Sequence, residues 1–274
     1  MKSFWNVLIT LRKVMISYIR VIQTKLYSQN IETIISEITE KIKSSTKYNN
    51  RCISATGAHG IITAQRCPEF RKVLNSFYVN LPDGMPGVWI GRLKGAKRMQ
   101  RCYGPDVFRE FLINTATLKI THYFCGGKPG IAEDLKKTCE ERFKNKNVVG
   151  TYSPPFREMT DDEFRILADD INNKKTDVVW IGISTPKQEF FAKKLSEYTN
   201  VHFIITVGAA FDFHTGKMRQ APKWIQKISM EWLFRLAMEP KRLWKRYFEI
   251  VPLFIWYNFL EFIKGEFFKT EIKE

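Results

Sequence analysis

The chain has 274 residues, 44% of them apolar and 26% charged, enough for one large domain or two small ones around a hydrophobic core and too apolar for a disordered chain. Fifteen glycines and eleven prolines exclude a fibrous or low-complexity class. The 44 lysines and arginines outnumber the 28 acids, and a formal net charge of +16 calls for an anionic partner: nucleic acid, acidic lipid or a phosphorylated small molecule. Cys52, Cys67, Cys102, Cys125 and Cys139 form no C-x-x-C pair, which argues against a disulfide framework or zinc site and suits a reducing cytoplasm.

The apolar stretch over residues 4–11 is interrupted by Arg12 and Lys13 and has no small-residue cleavage site after it, so a signal peptide is not expected. Residues 1–25 carry five bases, no acid, and Val14, Ile16, Tyr18, Ile19 and Ile22 at helical spacing. They are predicted as a basic amphipathic segment, residues 1–30, that either packs on the main domain or lies on a membrane. Helix and strand then alternate. Ile31, Ile34, Ile35, Ile38 and Ile42 make a helical stripe, residues 52–55 a strand, Pro68 an N1 helix start, and residues 77–81 an extended segment. An amphipathic segment follows Pro105, then a strand at 118–124, a helix at 131–143 and a short strand at Val148. Thr160 and Glu163 form a capping box. The apolar runs 177–183 and 203–211 read as parallel strands buried on both faces. The sum is a Rossmann-like, doubly wound α/β domain over residues 31–216 with a mostly parallel sheet.

Residues 217–274 differ in composition. Nine bases face two acids, Glu231 and Glu239, over 217–246, and ten of the 25 residues at 244–268 are aromatic. The apolar run 250–260 is broken by Pro252 and, at eleven residues, is shorter than the roughly 20 needed to cross a bilayer. Aromatics beside bases suit a membrane interface; helices that cap the core or meet a second copy are the alternative.

Four segments carry candidate chemistry. Gly126, Gly127 and Gly130 lie between a predicted strand and helix, where backbone amides can receive a diphosphate, or where a tight turn needs glycine. The pattern is neither G-x-G-x-x-G nor a Walker loop. Asp83, in Pro82-Asp83-Gly84, stands at the end of a predicted strand, placed as a general base or as a turn cap. Lys187, Gln188 and Glu189 occupy the first turn after Pro186, beside any ligand at that N-terminus. Asp212 is a ligand carboxylate or a loop cap. No histidine has metal-ligand spacing to another and there is no Asp-x-Asp, so neither metal nor cofactor is called for.

Together these segments resemble the WecG/TagA/CpsF family of bacterial glycosyltransferases. The resemblance spans about residues 50–250. It is carried by Thr56-Gly57-Ala58-His59-Gly60, Pro82-Asp83-Gly84-Met85-Pro86, Arg101 with Gly104-Pro105-Asp106, the glycine loop, Thr185-Pro186-Lys187-Gln188-Glu189, residues 207–213, and Glu231-Trp232-Leu233-Phe234-Arg235 with Glu239-Pro240-Lys241-Arg242. It implies transfer of N-acetylmannosamine or another hexose from a UDP-sugar to a polyprenyl-diphosphate-linked saccharide, with inversion and without a metal, by a cytoplasmic enzyme peripheral to the inner face of the membrane. It makes Asp83 the base, places Thr56 and Gln188 in the pocket, and sets Arg101, Arg235 and Arg242 near diphosphates.

Two departures qualify it. Many members have Asn where this chain has Ala58, so a sugar contact is lost or passes to His59. Some carry arginine at Lys245, and Arg246 is the neighbour able to compensate. Two other functions fit parts of the sequence. A nucleotide-dependent oxidoreductase or epimerase would need the missing dinucleotide fingerprint. A nucleic-acid module would show salt-sensitive binding exceeding that for UDP-sugar. Neither is expected.

Overall fold

The computed structural model describes residues 17–227 and 229–267. In chain order these form a hairpin of β1 (Tyr18–Val21) and β2 (Thr24–Tyr27), then α1 (Ile31–Ser44), β3 (Arg51–Thr56), α2 (Ala58–Arg66), α3 (Pro68–Ser76), β4 (Val79–Pro82), α4 (Met85–Leu93) and α5 (Gly104–Thr115). There follow β5 (His122–Gly126), α6 (Ile131–Arg142), β6 (Val148–Tyr152), α7 (Asp161–Asn173), β7 (Val178–Gly182), α8 (Lys187–Leu195), β8 (Phe203–Thr206) and the short α9 (Ala210–His214). Three helices complete the chain: α10 (Lys223–Lys227), α11 (Glu231–Met238) and α12 (Pro240–Ile263).

The six strands β4-β3-β8-β7-β5-β6 make one parallel sheet. Period-2 alternation sorts its side chains into two cores. Phe124, Trp180, Phe203 and Ile205 pack with Ile34, Ile38, Phe108, Phe111 and Leu135 from α1, α5 and α6. On the opposite face Tyr123, Cys125, Val179, Ile181 and Ile204 meet Phe164, Leu167, Ile171, Ala192 and Leu195 from α7 and α8. Each such fully buried side chain contributes on the order of 1.5–3 kcal/mol. The Rossmann-like expectation therefore holds. Pro68 opens α3, and the capping box forms: Thr160 accepts from Glu163 N while Glu163 accepts from Thr160 N at 2.8 Å.

Several local expectations need correction. Residues 18–27 are a hairpin, not a helix: Tyr18 pairs with Tyr27 and Val21 with Thr24. Ile22 and Gln23 form its two-residue turn with φ of 47° and 60°, the left-handed pair a tight hairpin demands. Neither residue is a turn former, so the turn has no sequence signature. The remaining N-terminal expectations, on residues 1–16, lie outside the described residues. The last buried strand stops at Thr206, and the apolar residues after it enter α9. The strand expected at 118–124 begins at His122. Pro252 does not break the C-terminal helix; it stands exposed within the 24 residues of α12. The packing of Ile250 and Phe254 on either side of it offsets the missing backbone hydrogen bond. Helices α2 and α4 carry no expectation from the sequence.

A third core joins the hairpin to the C-terminal helix. Ile19, Val21, Ile22 and Leu26 pack with Ile61, Ile62, Val88, Met99, Ile250 and Phe254. Lys94, its side chain 1% exposed, donates to the carbonyl of Arg20 at 3.0 Å and pairs with Glu261 at 2.5 Å. The far half of α12 is thus part of the folded body. Among the described residues no helix is long and apolar enough to cross a membrane.

Candidate active site

In an open parallel sheet the ligand crevice lies beyond the carboxyl ends of the strands, where successive connections diverge. Here the connection after β3 leads outward to β4 at one edge, and that after β5 leads to β6 at the other. The loops after β3, β4, β5, β7 and β8 surround the opening: Asp83, Gly127 and Gly130 lie in them, Thr56 and Gly126 end β3 and β5, His59, Lys187, Gln188, Glu189 and Asp212 stand in the first turns of the helices that follow, and Arg101 precedes α5.

Asp83 follows β4 directly. Its Oδ1 accepts from Gly104 N at 2.7 Å, and its backbone carbonyl accepts from Arg101 Nε at 2.7 Å. Oδ2 receives no hydrogen bond among the described residues and lies 3.8 Å from where a Cβ would stand on Gly57. Burial pushes the carboxyl above its ordinary value, against the pull of Arg101, the Gly104 amide and Arg235; Glu231 adds to the rise. A raised carboxyl with one free oxygen is suited to taking a proton near neutral pH. A Cβ on Gly104 would crowd this point, meeting Val207 O at 3.0 Å and Asp83 Oδ1 at 3.4 Å.

Thr56, Gln188 and Glu189 form a buried network beneath the crevice. Ser54, Thr185 and Gln188 all donate to Glu189 Oε1, at 3.0, 3.0 and 2.9 Å, and Thr56 donates to Ser54 at 3.0 Å. Gln188, 2% exposed, accepts from Gly208 N at 3.0 Å. Its amide is therefore spent on the loops after β7 and β8. Glu189 Oε2 is buried without a partner, and burial raises this carboxyl too. Lys187, at the start of the same helix, is exposed.

The glycine loop adopts the conformations its composition anticipates. Gly126 and Gly127 have φ of +150° and +73°, and a Cβ on Gly126 would lie 2.6 Å from Gly182 O. Gly130 caps α6. Lys128 lies close enough to Asp212 to pull down a carboxyl that burial pushes up; Glu239 raises it further and Arg242 opposes.

The C-terminal helices supply the cations. Arg235 lies 5.7 Å over the ring of Phe213, with Nε buried and unpartnered. Arg242 pairs with Glu239 and is exposed. Arg246 is held below its ordinary value by burial and then by the charge of Arg242, with Arg235 contributing. His59 on α2 faces α12, where burial and Arg246 lower it to about 4 against the opposing charge of Glu249.

The candidate residues thus gather around one crevice, joined by Gly104, Thr185 and Glu231, which lie in the motifs that carry the resemblance but have no role in the sequence reading. Arg101 is not free beside the opening: it pairs with Glu231 at 2.7 Å. Ser54, inside β3, has no role in the sequence reading, because a hydroxyl that holds a buried acid has no sequence signature.

The model of the glycosyl transferase WecG/TagA/CpsF family matches residues 19–266. The chain is also similar to two N-acetylglucosaminyldiphosphoundecaprenol N-acetyl-beta-D-mannosaminyltransferases. That of Bacillus subtilis (strain 168) is 27% identical over 182 residues, 66% of this chain and 69% of the relative. That of Bacillus spizizenii (strain ATCC 23059 / NRRL B-14472 / W23) is 27% identical over 187 residues, 68% and 70%. A match that takes in the hairpin, the whole sheet and α12 makes this chain a member of the WecG/TagA/CpsF family of glycosyl transferases.

Proposed function

We propose that the chain transfers a sugar, N-acetylmannosamine or another hexose, from a UDP-sugar to a polyprenyl-diphosphate-linked saccharide in cell-surface polysaccharide assembly. The acceptor class and the first-named sugar follow the names of its relatives. The observation that carries the assignment is Asp83: a raised carboxyl with one oxygen anchored and the other free, facing Arg101 and Arg235 of α11.

In this reaction the acceptor hydroxyl attacks the anomeric carbon and its proton passes to Asp83 Oδ2. The bond to the UDP oxygen breaks on the opposite face and UDP leaves with the electron pair, so the configuration inverts. Negative charge growing on the diphosphate is met by Arg235, Arg242 and Arg246 and by the amide of Gly130, the Gly127 amide being spent on Gly182 O at 3.0 Å, without a metal. Thr56, Gln188 and Glu189 shape the floor of the crevice. Lys187 and Asp212 flank it, and His59 is the neighbour of Ala58 that reaches toward the sugar.

The appendage, residues 217–274, also carries the membrane assignment. Trp244, Phe248, Val251, Ile255, Phe259 and Phe262 are exposed at spacings of three and four along α12, with Lys241 and Lys245 exposed near its start. Such a stripe suits the interface of an anionic bilayer, on the cytoplasmic side where a UDP-sugar is available. No nucleic acid is needed to explain the charge, and a second copy on this stripe is the competing occupant.

The test is UDP release from a panel of UDP-sugars with polyprenyl-diphosphate-linked GlcNAc and EDTA present, for the native chain and Asp83→Asn. Acceptor-dependent release that the variant loses is the expected result. A requirement for metal, or a fully active variant, would overturn the mechanism; silence across the panel would overturn the donor or acceptor class. Flotation with anionic vesicles, lost in Phe248→Ser, tests the membrane assignment, and concentration-dependent dimerisation without flotation would replace it.

A further inference from the structure

Residues 101–104 hold the candidate base from two sides. Cys102 N donates to Pro82 O at 2.9 Å, Arg101 Nε to Asp83 O at 2.7 Å, and Gly104 N to Asp83 Oδ1 at 2.7 Å. The same segment reaches the C-terminal helices. Arg101 Nη2 donates to Glu231 Oε2 at 2.7 Å, and its guanidinium lies 4.0 Å over the Tyr103 ring. A planar guanidinium can donate in two directions while stacked; a lysine at this position could not.

Among the described residues three ion pairs join α11 and α12 to the rest of the chain. Arg66–Glu249 is exposed, with side chains 56% and 50% accessible, and Lys94–Glu261 fastens the far end of α12. Arg101–Glu231 is the one beside Asp83, with side chains 18% and 9% accessible. Removing one partner from so enclosed a pair leaves a charge without compensation.

We propose that Glu231 is a positioning residue for sugar transfer: by holding Arg101 it couples the docking of α11 to the placement of Asp83. The proposal rests on Asp83 being the base. Glu231 makes no hydrogen bond to the Asp83 side chain, so it acts through residues 101–104. Arg101 is correspondingly occupied as a strut, and the cations left for diphosphate are those of α11 and α12.

The test uses the full chain with Glu231→Ala and Glu231→Gln, measuring turnover against UDP-sugar concentration, hydrogen exchange over residues 82–104, and melting. Glu231→Ala is expected to lower kcat about tenfold or more while KM for the donor changes less than about twofold, the signature of a misplaced reacting group. Glu231→Gln keeps an acceptor oxygen for Arg101 and stays within about threefold of native kcat. The Gly104 amide exchanges faster in the alanine variant, while amides of β7 keep their protection. In Glu231→Gln, Asp83 still faces Arg101 and Arg235 but loses one negative neighbour, so the acid limb of its pH–rate profile moves to lower pH.

Native kcat in Glu231→Ala, a change confined to KM, or unchanged exchange over 82–104 would each overturn the proposal. Should the alanine variant fail to fold, Arg101→Lys decides, because lysine keeps the charge but cannot hold Asp83 O and Glu231 together, and native kcat in that variant refutes the coupling. Should the native chain transfer no sugar from any donor, the transferase assignment falls, and exchange at 101–104 still decides whether Glu231 holds that segment.

Discussion

On the sheet side of the crevice two acids are held by uncharged donors: the Gly104 amide on Asp83, and Ser54, Thr185 and Gln188 on Glu189. On the helical side stand Arg235, Arg242 and Arg246, near enough for like charge to help push Arg246 below its ordinary value. The sheet side spends its polar groups on one another and becomes a fixed frame. The helical side keeps cationic charge in reserve, at an electrostatic cost that a polyanion would offset. In the proposed mechanism positioning and binding are divided between regions, and the site needs α11 and α12 docked through the third core and the ion pairs.

The severest challenge to this division is Asp83→Asn, expected to cut turnover by about 100- to 10,000-fold with little loss of stability, as removal of a general base does. Native melting with intact turnover would place the chemistry elsewhere. Next is Phe254→Ala, which removes a 7% exposed ring from the third core and is expected to cost about 3 kcal/mol in urea unfolding. A loss below about 1 kcal/mol would mean that α12 is an appendage in energy as well as in sequence. Arg235→Ala should lower kcat by about 10- to 100-fold, with lysine restoring part of it, because charge is retained and the planar fork is not.

A smaller effect comes from His59, whose folded value of about 4 lies below the ordinary 6.5. The unfolded chain therefore binds that proton first, and stability is lost as pH falls from about 6.5 toward 4. The melting temperature of His59→Phe should fall less over this window than that of the native chain; equal slopes would show that α12 does not desolvate the ring. Smallest is Arg66→Ala, which breaks an exposed pair with Glu249 and should cost between about 0 and 1 kcal/mol.

Much of the frame is local and hence legible. Buried runs such as 177–183 announce strands, Thr160 and Glu163 announce a helix start, and glycines 126, 127 and 130 announce a turn that only glycine allows. These features rest on backbone preferences and on side chains a few residues apart, and the sequence determined them by itself.

Contacts between distant residues decided the rest. The turn at Ile22 and Gln23 is held by the third core, which Ile19 and Leu26 share with Ile61, Val88 and the distant Phe254, and α12 continues through Pro252 because the same core holds both sides of it. Arg101 reads as a free cation in sequence, yet its partner Glu231 lies 130 residues on. Gln188 reads as a pocket residue, yet its amide serves Gly208. Spacing along a chain reports which side chains share a face. Which charge meets which, and which amide is already spent, depends on distances set only when the helices close over the sheet.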